Sequence, residues 1–164
     1  MAGTLTDRTN GALFILNDIG GHHNTPSEAD YWNNSLTYCT FATGLTDKKK
    51  LDLLNAATGY ELKYPEDWNR YGLRFMLFAR SYNIREGYGG IMPPSKADIL
   101  PKKAFKKLAY GAGKDQQLTL KDWLEGRLRW YRNHGCDEKG VPTRDTLKSL
   151  GLEFVISEIE KADI

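Results

Sequence analysis

The segment PEDWNRYGLRFMLFARSYNIREG, residues 65–87, constrains the fold of this chain more than any other. Trp68, Gly72, Phe75, Ala79 and Tyr82 recur at three- and four-residue intervals, and Leu73, Met76 and Phe78 widen the stripe. That period belongs to one face of a long helix and fits no strand. Gly72 costs up to about 1 kcal/mol relative to alanine inside a helix, so its place on the stripe predicts a close crossing by a second helix.

The rest of the chain punctuates itself in the same way. TPSE (25–28) is a capping box, with Thr25 as cap, Pro26 at the first helical position and Glu28 reaching back. The helix it opens is expected to run through Cys39 to about Ala42, with Gly44 near its end. Thr46 or Asp47 opens KKKLDLLNAATG, closed by Gly59; Thr119 with Asp122 opens a helix closed by Gly135. Thr143 opens a short helix to Gly151, and LEFVISEIEKA reads as a last one. Residues 87–101, GYGGIMPPSKADILP, are too rich in turn formers for a regular element, and long irregular stretches in compact domains often carry function. No segment shows a strand pattern, so the expected class is all-α, an irregular helical domain.

Charge and cysteine content exclude several functions. A net charge of +2 over 164 residues argues against nucleic acid and against an anionic membrane surface. Two basic clusters, DKKK (47–50) and PKKAFKK (101–107), read as solvated faces that at most dock an acidic protein. No apolar run reaches membrane-spanning length. The opening MAGTLTDRTNG has no signal-peptide character, and two cysteines make no disulfide framework, so a reducing, cytoplasmic setting is expected.

Self-contained chemistry is scarce. GYGG precedes prolines and not a helix, and no metalloprotease or nucleophile-elbow motif occurs. His22 and His23 could bind a metal from a turn, or be exposed loop residues. His134 suits the negative end of a helix, where an imidazolium is favoured. Arg85 and Glu86 could pair with each other or with neighbours, a structural role favoured over a catalytic one. Cys39 and Cys136 cannot between them enclose a four-thiolate site. Residue patterns alone stop at a soluble helical domain.

Ordered landmarks carry the reading further. LLNAATG (53–59), YNIREG (82–87), DILP (98–101), HGCDEKGVPT (134–143) and LKSLGL (147–152) together resemble the C-terminal region of the aldehyde ferredoxin oxidoreductase family of tungsten or molybdenum bis-pterin enzymes. That family's C-terminal domain is helical. Its Asp-x-x-Gly-Leu-Cys motif precedes the LLN-type segment at about this distance, with the cysteine the fourth thiolate of a [4Fe–4S] cluster and the aspartate a pterin contact. The matching positions here are Asn34, Ser35, Leu36, Thr37, Tyr38 and Cys39. The resemblance thus implies cluster ligation by Cys39 and pterin contact by Asn34, and it assigns no catalytic residue. Asparagine stands for the aspartate, threonine for the glycine, Cys136 for a tryptophan and His134 for an arginine.

The resemblance further implies aldehyde oxidation to a carboxylate, with ferredoxin as electron acceptor. A cluster needs four ligands, so cluster and bis-pterin would be shared with an N-terminal cofactor-binding portion or subunit, and none is expected on this chain alone. The expected organisation is one helical domain over 1–164, the C-terminal part of a larger or split enzyme. In it, 1–24 form an arm and helix, and 25–164 carry the landmarks. The alternative is a cofactor-free helical interaction domain with Cys39 a buried structural thiol.

Overall fold

The computed structural model describes Leu16 and residues 28–38, 44–91, 93–111 and 113–162. Among them the chain forms α1 (Glu28–Ser35), α2 (Asp47–Thr58), α3 (Glu66–Arg85), α4 (Pro94–Ala97), α5 (Leu120–Asn133), α6 (Arg144–Ser149) and α7 (Ile156–Glu160). Short 3-10 turns cover Gly87–Gly90, Lys102–Phe105 and Glu153–Val155. The only β pairing among the described residues is one isolated bridge, Cys136 to Pro142. The all-α expectation holds.

Local chemistry sets most of the boundaries. Thr46 caps α2 through the amide of Lys49, and Gly59 ends it at φ 76°. Thr119 and Asp122 form a reciprocal capping box on α5, and Thr143 caps α6 through Thr146. The 87–101 stretch is more ordered than its composition suggests, because Pro94 takes the first position of α4, where it costs no hydrogen bond.

Two hydrophobic clusters share α3. At its N-terminal half Trp68 joins Trp32 of α1 and Leu51 of α2, with Tyr71 stacked on Trp32 at 5.0 Å. Further along, Met76, Leu77 and Ile84 enter the larger core with Trp123 and Tyr131 of α5, Leu147 of α6 and Ile159 of α7. The crossing foreshadowed by Gly72 is that of α1. A Cβ at 72 would stand 2.5 Å from the Glu28 carbonyl carbon, closer than real Cβ contacts come.

Two expectations are corrected. The buried face of α3 is Trp68, Gly72, Met76, Leu77, Arg80, Ser81 and Ile84, while Phe78 and Tyr82 are 42% and 52% exposed. The stripe turns because Arg80 is fully buried, which apolar periodicity does not anticipate. The first helix also stops earlier than Ala42. Thr37 adopts φ 57°, its amide bonds the Asn34 carbonyl at 3.0 Å, and the Tyr38 amide bonds that of Asn33 at 2.8 Å. This is a Schellman stop, with a left-handed residue at the position where glycine is favoured. Thr25, Pro26, residues 39–43, His22 and His23 lie outside the described residues.

Candidate functional site

The resemblance places its chemistry at the end of α1, and three attachments fix that helix. Its first residue, Glu28, meets His134 beyond α5, Oε1 to Nε2 at 3.1 Å. The backbone at Glu28 lies against Gly72, and Trp32 packs edge-on to Trp68 and face-on to Tyr71 and Phe75. From this base α1 presents Asn34 to solvent and ends at the exposed Thr37. Cys39 lies outside the described residues, two positions past that turn.

Neighbouring Asn33, which sequence reasoning passed over, is only 4% exposed, and its side-chain Oδ1 has no hydrogen-bond partner among the described residues. No sequence signal separates it from Asn34, because only the packing decides which of two adjacent asparagines faces inward.

The Glu28–His134 contact was equally hidden, since the capping-box pattern assigns Glu28 to its own helix. His134 Nδ1 faces the Trp130 carbonyl at 2.7 Å while Nε2 faces Glu28. An imidazolium donates to both; a neutral ring donates to one. The His134 hydrogen bond, assisted by its charge and opposed by partial burial, holds the Glu28 carboxyl below its ordinary value.

The remaining landmarks do architectural work. Asp98 of DILP accepts from Arg80 Nη2 and the Tyr131 hydroxyl, both at 2.6 Å. Arg80 Nε bonds the Gly140 carbonyl at 2.7 Å, and Arg127 Nη1 reaches the Ser95 and Asp98 carbonyls at 2.6 and 3.0 Å. Burial first, then the Asp98 carboxylate, push the Tyr131 hydroxyl well above its ordinary range, so it stays a donor. Gly140, at φ 84°, has no room for a Cβ, which would stand 2.6 Å from Arg80 Nη2. Asn55 of LLNAATG clasps both backbone groups of Leu62, and Gly87 of YNIREG and Gly151 of LKSLGL take positive φ at helix ends. Arg85 and Glu86 pair with each other on the surface at 2.7 Å, one of the pairings the sequence left open. Cys136 is buried beside the His134 carbonyl.

A bound cluster or pterin pair makes stiffer demands. Among the described residues no three His, Cys, Asp or Glu side chains gather to hold a metal ion, and the whole sequence has two cysteines. The donor set therefore does not fit a complete cluster.

The fold is that of an irregular all-helical domain. The chain belongs to the aldehyde ferredoxin oxidoreductase family: residues 23–152 match the family described as "Aldehyde ferredoxin oxidoreductase, domains 2 & 3". It is also similar to the "Aliphatic sulfonate oxidoreductase, WOR-like subunit" of Pyrococcus furiosus, at 27% identity over 168 aligned positions. That match covers 94% of this chain and 26% of the relative, so the chain spans about a quarter of the relative's length. Among the described residues no helix is long and apolar enough to cross a membrane.

Proposed function

We propose that this chain is the helical portion of a tungsten- or molybdenum-pterin, iron–sulfur oxidoreductase that completes a cofactor site with another polypeptide portion. The family match over residues 23–152, which includes positions 34–39, carries the reading. Cys39 would supply the fourth thiolate of a [4Fe–4S] cluster, and Asn34 a neutral hydrogen bond to a pterin where the motif has a carboxylate. When bound, the metal–pterin group supplies the two-electron chemistry at substrate, and the cluster relays electrons one at a time. This chain's residues then bind and orient: α1, held by Glu28, Gly72 and Trp32, sets where the 34–39 segment is offered.

Oxidation of an aldehyde with transfer to ferredoxin is the reaction the family name suggests. The Pyrococcus relative is named for aliphatic sulfonates and as a subunit, which favours a multi-subunit assembly and leaves the choice of substrate open. Co-expression with a family portion carrying the other three cluster cysteines tests the proposal. The expected product is an oxygen-sensitive brown complex containing iron and tungsten or molybdenum, while the chain by itself purifies colourless. A stable complex without metal, or no complex, points instead to the cofactor-free interaction domain.

A further inference from the structure

The two lysine clusters read alike in sequence but differ in structure. In α2, Lys48 pairs with Asp52 at 2.8 Å and Lys50 with Asp47 at 3.1 Å, so that cluster is largely neutralised on its own helix. Residues 101–116, PKKAFKKLAYGAGKDQ, hold five lysines against one aspartate, a net +4 in a chain whose total is +2. Only Lys107 there has an ion-pair partner, Asp115 at 3.1 Å; among the described residues Lys102, Lys103, Lys106 and Lys114 have none.

The segment is a built loop. Ala104 and Phe105 pack on the main core from the 3-10 turn, and Gln117 Nε2 bonds the Phe105 carbonyl at 3.0 Å. The chain then closes on itself, with the Leu108 amide on the Gln116 carbonyl at 3.0 Å and the Asp115 amide on the Leu108 carbonyl at 2.9 Å. Within that closure Tyr110 stands 85% exposed, more than any other large apolar side chain described. An exposed aromatic within a hydrogen-bonded closure, with four unneutralised ammoniums near it in sequence, suits docking.

We infer that the 101–116 loop is a docking element for a carboxylate-rich protein surface, with Tyr110 as its anchor and the lysines setting encounter and orientation. All five cations are lysines, compact point charges that pair with a carboxylate-bearing surface without a fixed bidentate geometry. The remainder of the chain is net −2, which disfavours a broad polyanion such as nucleic acid or an anionic bilayer. This inference does not rest on the cofactor reading.

The test uses the full chain and labelled poly-L-glutamate, followed by fluorescence anisotropy at low salt. A duplex DNA and phosphatidylserine vesicles, matched for charge, are compared. The Lys102→Glu/Lys106→Glu variant is expected to bind poly-glutamate about tenfold more weakly, and Tyr110→Ser several-fold more weakly. Lys48→Glu/Lys49→Glu, with the same change in net charge, should stay within about twofold of the parent. Equal loss in both double variants, no effect of Tyr110→Ser, no binding of poly-glutamate, or tighter binding of DNA or vesicles would each overturn the inference.

Discussion

Replacing Thr37 by glycine should stabilise the protein, although glycine usually weakens helical segments. At φ 57° a β-branched residue lies in the left-handed region, where a Cβ costs about 1–2 kcal/mol. Glycine recovers that, less the roughly 0.5–1 kcal/mol of extra freedom it gains on unfolding. The two hydrogen bonds of the stop, Thr37 to Asn34 and Tyr38 to Asn33, belong to the backbone and survive the change. Thr37 is exposed, so little packing is lost. The expected net gain is about 0.5–1 kcal/mol, or a rise of about 1–4 °C in Tm for a chain of this size. Urea titration of the parent, Thr37→Gly and Thr37→Ala measures it, with the alanine variant close to the parent. A helix continuing through Cys39 would give the opposite sign, because mid-helix glycine costs about 1 kcal/mol. Loss of stability in Thr37→Gly would therefore refute the Schellman stop.

Other consequences can be checked with the same measurements. Gly72→Ala should destabilise by about 1–3 kcal/mol in urea, despite better helix propensity, because its Cβ meets the Glu28 backbone. Asp98→Asn should cost about 3–5 kcal/mol by leaving the fully buried Arg80 without a carboxylate, seen as a lower midpoint at unchanged m-value. The folded Glu28 carboxyl titrates below the unfolded value of 4.5. Its contribution is complete above that pH and is lost as pH falls through the lower, folded value. The stability gap between parent and Glu28→Gln should accordingly close on acidification below about pH 4.5.

Helix starts and stops were legible because they are local. Thr46, Gly59, Thr119, Asp122 and Thr143 act through neighbours three or four residues away, within the reach of a sequence pattern. Gly72 was legible for a related reason, since a costly residue on an apolar stripe needs a packing explanation. What escaped was non-local. Arg80 is buried through Asp98, Tyr131 and Gly140, and Glu28 is claimed by a histidine 106 positions away. Thr37 misled because only its backbone angle, not its residue type, marks a helix end. The family landmarks proved recognisable because DILP and HGCDEKGVPT supply the buried network, and the glycines of LLNAATG, YNIREG and LKSLGL the turns. They report fold directly, and the cofactor roles proposed for Cys39 and Asn34 lie outside them.

Absorption and EPR spectra of the co-expressed complex, with and without Cys39→Ala, test the central proposal most directly. If Cys39 is the fourth thiolate, the parent complex shows the broad visible absorbance and reduced-state EPR signal of a [4Fe–4S] cluster, and Cys39→Ala loses both while Cys136→Ala retains them. An intact cluster in Cys39→Ala would contradict the assignment and leave this domain a helical scaffold.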